Sequence, residues 1–242
     1  MNRRALAGVG LGVSLAAAVA FVSPPVIGGQ PVAWKDFPAT CRFDAEGQLP
    51  CTCVLVGPEA LLTAAHCMED NDETGTVTTF DQGTRKGTCK RSSQLDLAIC
   101  KLDTRVDHIS FERIGSAPLT KNQDLLLTGF GCSSHLAAHS EDTLLKDPAK
   151  VKTLPQSDNF IEFKEGTLCS GDSGGPSFTL SSSIQLANSH LGQRRVAGIN
   201  ASNTHLTSLS TEAAREFIRQ WAEANNAGVC GIHETQGLTC RQ

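Results

Sequence analysis

Apolar and polar positions alternate, or apolar ones run together in short blocks, through most of the chain from Phe37 onward. Period-two alternation of this kind marks strands rather than helices. PATCRF (38–43) and CTCVLV (51–56) read as two strands joined by a turn at 44–47. Leu61 and Leu62 lead into TAAHC as an apolar strand that delivers His66 at its end. Residues 84–102 read as two further strands with Asp96 between them, and LLLTGFGC (125–132) as a buried strand ending in glycines. PSFTL (176–180) and RVAGINAS (195–202) supply two more. Only near the end does the spacing change: Ala214, Phe217, Ile218 and Trp221 recur at helical intervals. Ser210 or Thr211 caps that helix, Glu212 sits in its first turn, and Asn226 and Gly228 end it. The pattern is that of an all-β protein with one terminal helix.

The stretch CSGDSGGP (169–176) carries the candidate chemistry. Glycines on both sides of Ser173 predict a tight turn that exposes the hydroxyl and lets a substrate backbone approach. In such a turn the N–H groups of Gly171 and Ser173 face the oxygen of a carbonyl under attack. A serine hydroxyl needs a base to become a nucleophile at neutral pH, and the base needs a group to orient it. LLTAAHC (61–67) offers His66 as the base, and DLAICKL (96–102) offers Asp96, whose following apolar run predicts burial beside the imidazole. Asp70, Asp81 and Asp103 lack such a run.

Together TAAHC, DLAIC and GDSGGP, in that order, resemble the chymotrypsin-like (trypsin-family) serine proteases, and VIGG (26–29) resembles their mature N-terminus. The resemblance implies two antiparallel six-stranded β-barrels with a C-terminal α-helix and a cleft between the barrels. It implies a protease domain over residues 26–229, with the barrels meeting near residue 118, and a cysteine-containing extension over 230–242. The triad is then His66, Asp96 and Ser173, with Gly171 and Ser173 as the oxyanion hole. A free amino group on Val26 pairs with Asp172 after proteolysis. Pro25, where the family usually has a basic residue, excludes a trypsin-type activator and makes 21–25 a candidate pro-segment. The family's primary pocket falls on Thr167, Ala201, Ser202 and Asn203. Thr167 stands where the trypsin branch has an aspartate, so cleavage after Arg or Lys is not expected. The family pattern also joins Cys51 to Cys67.

Composition narrows the setting. Residues 1–20 read as a signal peptide: Arg3 and Arg4 precede an uncharged apolar run, and Ala18-Val19-Ala20 fits a signal peptidase. A twin-arginine signal stays open as its type. Ten cysteines, an even number without zinc-like spacing, point to disulfides formed in an extracellular or periplasmic space. Cys230 with Cys240 closes the terminal extension on itself. Cys41 with Cys53, Cys89 with Cys100 and Cys132 with Cys169 are compatible with neighbouring strands. A net charge of −4 argues against nucleic acid and anionic membranes as partners. The chain is expected as a monomer acting on proteins or peptides, and open to a protein inhibitor, with no metal or cofactor. The acidic run Glu69–Glu73 does not match an EF-hand and reads as a solvated loop. LAAHS (136–140) echoes TAAHC, but His139 falls out of order and reads as a surface residue; His108, His135, His190, His205 and His233 read likewise. The Asn200-Ala201-Ser202 sequon sits on a strand beside the cleft and is discounted. An esterase of the α/β-hydrolase type fails on chain order. The competing class is a protease fold that only binds, a pseudo-protease.

Overall fold

Strand β3 (Cys51–Gly57) is buried along its whole length, whereas β5 (Glu73–Thr78) and β6 (Thr84–Arg91) bury only alternate residues. The difference is positional: β5 and β6 have a core on one face and water on the other. β3 is covered on both, by its own barrel and by the polypeptide that follows it from the rest of the chain. Val56 O accepts from Cys230 N at 2.8 Å, and Thr52 N donates to Ser173 O at 2.8 Å. This computed structural model describes residues 29–71, 73–132, 143–155, 159–180 and 193–241. The expected signal peptide and pro-segment, Val26, Asp72, His135, His139 and His190 lie outside the described residues.

The first sheet joins β2 (Thr40–Ala45), β3, β4 (Ala60–Thr63), β7 (Ala98–Leu102), β6 and β5 into a closed antiparallel barrel. The second comprises β8 (Asp124–Gly129), β9 (Leu145–Val151), β10 (Phe160–Lys164), β11 (Pro176–Leu180), β12 (Arg194–Ser202) and β13 (His205–Ser208). Its order is β9-β10-β13-β12-β11-β8, and β8 pairs again with β9, so these six strands also return on themselves. A short β1 (Gln30–Pro31) adds to β9 from outside. Helix α1 (Glu212–Ala224) follows, with Thr211 as its cap and Ala214, Ile218 and Trp221 buried. Asn226, at φ 48°, ends the run.

Two readings change in detail. Asp44 belongs to β2, so the turn begins after Ala45, and β4 stops at Thr63, leaving His66 in a single 3-10 turn (Ala65–Cys67). The acidic run is a loop only to its last residue. Glu73 opens β5 and its carboxylate accepts from Glu69 N and Asp70 N at 2.7 and 3.2 Å. Among the described residues no group of three acidic, His or Cys side chains is placed to hold a metal.

Five disulfides join Cys41–Cys53, Cys51–Cys67, Cys89–Cys100, Cys132–Cys169 and Cys230–Cys240. The extension closed by the last of these lies against the link between barrels. Phe111 N donates to Thr239 O, Arg241 N to Phe111 O and Ile114 N to Cys230 O, all within 3.0 Å. Beneath it Arg194 and Glu112 are both fully buried and ion-paired, with Arg194 Nε 2.9 Å from Glu112 Oε1. Arg194 Nη1 also donates to Asp36 O at 3.0 Å, and the guanidinium lies 4.2 Å from the Phe37 ring centre. One side chain thus ties β12, the inter-barrel link and the N-terminal turn.

Removing one member of a buried pair strands the other charge. Glu112→Ala is expected to lower unfolding stability by roughly 3–5 kcal/mol. Lys35→Ala, on the exposed turn beside it, should change stability by less than about 0.5 kcal/mol. Equilibrium urea unfolding of both variants checks this.

Candidate active site

The 3-10 turn that carries His66 is anchored by the Cys51–Cys67 bridge. Asp96 lies between β6 and β7, with buried Leu95 and Leu97 on either side fixing its backbone. Its Oδ1 accepts from His66 N at 3.0 Å and its Oδ2 lies 2.7 Å from His66 Nδ1. A carboxylate only accepts, so the proton sits on Nδ1 and Nε2 is left as an acceptor. Ser173 Oγ lies 2.8 Å from that Nε2. The imidazole remains 45% exposed while the Asp96 side chain is 19% exposed, so the ring is open to solvent and its partner is mostly covered. Asp96 O further accepts from Thr207 Oγ1 of β13 at 2.8 Å, a bond from one barrel to the other. Two of the competing carboxylates are engaged elsewhere. Asp81 pairs with Arg85, which together with Thr79 pulls its pKa down to about 2, and Asp103 accepts from Lys86 N.

The serine turn is built on two left-handed glycines, Gly171 at φ 99° and Gly174 at φ 82°, a region that other residues enter at a cost. Asp172 N donates to Cys169 O and Gly175 N to Asp172 O, both at 3.0 Å, so the chain coils twice around the serine. Among the described residues the N–H groups of Gly171 and Ser173 make no hydrogen bond.

Thr52, which the sequence reading did not single out, and Asn200, which it noted only as a discounted glycosylation sequon, hold this turn in place. Thr52 Oγ1 donates to Gly171 O at 2.7 Å and accepts from Phe130 N at 3.0 Å. Asn200 is fully buried; its Nδ2 donates to Thr128 O and Asp172 O at 3.1 Å, and Gly174 N donates to its carbonyl at 2.8 Å. A buried Asn so engaged has no amide free for a glycan. The available signal was a polar residue inside each of two apolar runs, which in a buried strand demands partners.

Asp172 is 5% exposed and accepts from Gly131 N at 2.9 Å and Cys169 N at 3.0 Å. Burial pushes its pKa up to about 6, against the pull of those two bonds. Its expected partner Val26 is outside the described residues.

The expected pocket residues come together, but as a closed wall. Ser202 pairs with His205 across a two-residue turn, Asn203-Thr204. Leu168 N donates to Asn203 O at 2.9 Å, and Phe163 N to Thr204 O at 2.9 Å. Leu168 is buried, Thr167 and Ala201 are half-buried, and Ser202 and Asn203 are exposed. Cys169, whose usual family partner is missing from the short following loop, is bridged to Cys132 instead.

No curated protein matches the chain. The family model described as Trypsin matches residues 26–207, well over half of the sequence and all thirteen strands except the last residue of β13. With strand order, barrels and sequence match in agreement, the chain belongs to the trypsin family.

Proposed function

We propose that this chain is a secreted serine endopeptidase that cleaves peptide bonds through Ser173, His66 and Asp96. The observation that carries the reading is the position of His66, hydrogen-bonded through Nδ1 to Asp96 and through Nε2 to Ser173. In this reading His66 Nε2 takes the hydroxyl proton as Oγ attacks the peptide carbonyl carbon. The carbonyl oxygen gains the negative charge and is held by the N–H groups of Gly171 and Ser173, each worth about 3 kcal/mol in such chemistry. Asp96 stabilises the imidazolium and fixes its tautomer. The imidazolium then protonates the leaving amine, and water, deprotonated by His66, releases the acyl group from Ser173.

Residues 1–20 direct export, 21–25 form the pro-segment, 26–229 are the peptidase domain and 230–242 an extension. Cleavage before Val26 frees the amino group that pairs with Asp172. The neutral Thr167 speaks against basic side chains before the scissile bond. The backbone bond between Leu168 and Asn203 goes further: segments within hydrogen-bond distance leave no slot for a large side chain between them. The expected substrates therefore carry Gly, Ala or Ser at that position. The same closed wall is what favours the second reading, a pseudo-protease that binds without turnover.

A fluorophosphonate separates these readings. Protein beginning at Val26 should gain one adduct by intact mass, and Ser173→Ala none; an unlabelled wild type beginning at Val26 points to the pseudo-protease. With a series of fluorogenic peptides varied at the residue before the cut, kcat/KM should be highest for Gly, Ala or Ser, by roughly 100-fold over Phe, Arg or Lys. Fastest cleavage after an aromatic or basic residue contradicts the closed-wall account.

A further inference from the structure

Asp147 lies within β9, only 8% exposed, and its Oδ2 has no hydrogen-bond partner among the described residues. It lines one small cavity together with Asp172, between Leu127, Gly129 and Leu168. The room inside suits a group about the size of one water. Two buried carboxylates on one void repel each other and lack solvent, which disfavours their charged forms. Burial, and then the charge of Asp172, pushes Asp147 up to about 7. No Lys or Arg among the described residues compensates either group. On β9, Lys150 is engaged by Glu165 at 2.8 Å and Lys146 forms no ion pair with either acid. On β8 the nearest charge is Asp124, opposite Lys150. From β10, Lys164 is bonded to Asn122, while β1 and residues 166–168 bring no charge.

The chain's own N-terminal segment enters at this point. Gln30 and Pro31 pair with Lys146 and Leu145, next to Asp147, and Gly29 packs on Leu145. Leu145 is opposite Gly129, against which the Asp172 carboxylate lies so closely that even a methyl group would collide. Gly29 and Asp172 are thus about two strand spacings apart, roughly 10 Å. Three extended residues span about 10 Å. The length of three residues before Gly29 therefore matches the separation to be crossed.

We propose that Asp147 and Asp172 form a two-carboxylate receptor for one ammonium group, the terminus created by cleavage before Val26, with Asp147 as a second positioning residue. This rests on the reading of Val26 as the mature terminus. Hydrolysis of the Pro25–Val26 bond by a peptidase tolerant of proline consumes one water and leaves a carboxylate on Pro25 and an ammonium on Val26. Because both acids are held above the ordinary carboxylate range before the ammonium arrives, its entry expels protons. Docking is therefore strongest between about pH 7 and pH 8: it is lost as pH falls below about 7, where Asp147 takes up a proton, and weakens above about 8, where a free α-amino group loses its charge.

The test uses Ser173→Ala protein beginning at Phe21 or at Val26, each with and without Asp147→Asn, melted at pH 8 and pH 4. In the Phe21 chain Asp147 is an uncompensated buried charge, so Asp147→Asn should raise Tm at pH 8 by at least ~3 °C and have little effect at pH 4. In the Val26 chain the same substitution should lower Tm at pH 8. Shifts of the same sign in both chains overturn the proposal. If ammonium chloride but not choline chloride raises Tm of the Phe21 chain, and Asp147→Asn abolishes the rise, the cavity is a free-cation site and the assignment to the terminus is overturned. Carboxyl 13C NMR is the second measurement. The Asp147 resonance should titrate near pH 7 in the Phe21 chain and at least one unit lower in the Val26 chain, and equal midpoints contradict the proposal. Failure of wild-type protein to label with fluorophosphonate sinks the peptidase reading and leaves this comparison standing.

Discussion

Everything at the site depends on holding a turn from one barrel against a strand of the other. His66 and Asp96 belong to the first barrel and Ser173 to the second, so the 2.8 Å contact between Nε2 and Oγ exists only while the barrels keep their register. Thr52 supplies that register from β3, donating to Gly171 O through its hydroxyl and to Ser173 O through its backbone. Thr207 returns the connection by donating to Asp96 O. Each such bond contributes only about 1 kcal/mol net, but leaving a buried partner unpaired costs about 1–3 kcal/mol. The interface is therefore specified by what it forbids as much as by what it gains.

Buried charge is handled in two different ways. Arg194 and Glu112 neutralise each other, with Asp36 O and the Phe37 ring accepting the rest of the guanidinium. Burial alone would drive Arg194 down from its ordinary pKa, and Glu112 opposes that. Arg241 Nε lies 3.4 Å from the same Glu112 oxygen and adds a second cation to the clamp. Among the described residues Asp172 and Asp147 have no such cation, and they share a cavity instead. That contrast separates a pair neutralised by its own cations from two acids whose charged forms burial disfavours.

The sequence made the hydrogen-bonded cluster of His66, Asp96 and Ser173 legible because its residues sit in short, chemically constrained stretches: TAAHC at a strand end, DLAIC before a buried strand, GDSGGP with glycines where φ must be positive. Strands with clean alternation or long apolar blocks, such as β3, β8 and β12, were legible for the same reason. β9 was not, because Lys146, Asp147, Pro148 and Lys150 interrupt any apolar pattern, and pairing with β8, β10 and β1 makes it a strand. Pairing partners distant in the chain also decide β5, β10 and β13. Asn200 and Thr52 were hidden differently: their role is to satisfy main-chain groups of a turn more than 20 residues away, which no local pattern encodes. The candidate pocket residues were named only by resemblance, and the backbone bond between Leu168 and Asn203 joins residues 35 apart, which no local pattern encodes.

The central claim is that His66 and Ser173 act as one chemical unit. It is tested most directly by hydrolysis of an activated acyl ester by protein beginning at Val26, comparing Ser173→Ala, His66→Ala and the double variant. Groups that act as a unit are lost together, so each single variant should fall by about 10⁴–10⁶ in kcat and the double variant no further. Losses that multiply in the double variant, or hydrolysis that survives Ser173→Ala, would contradict the account.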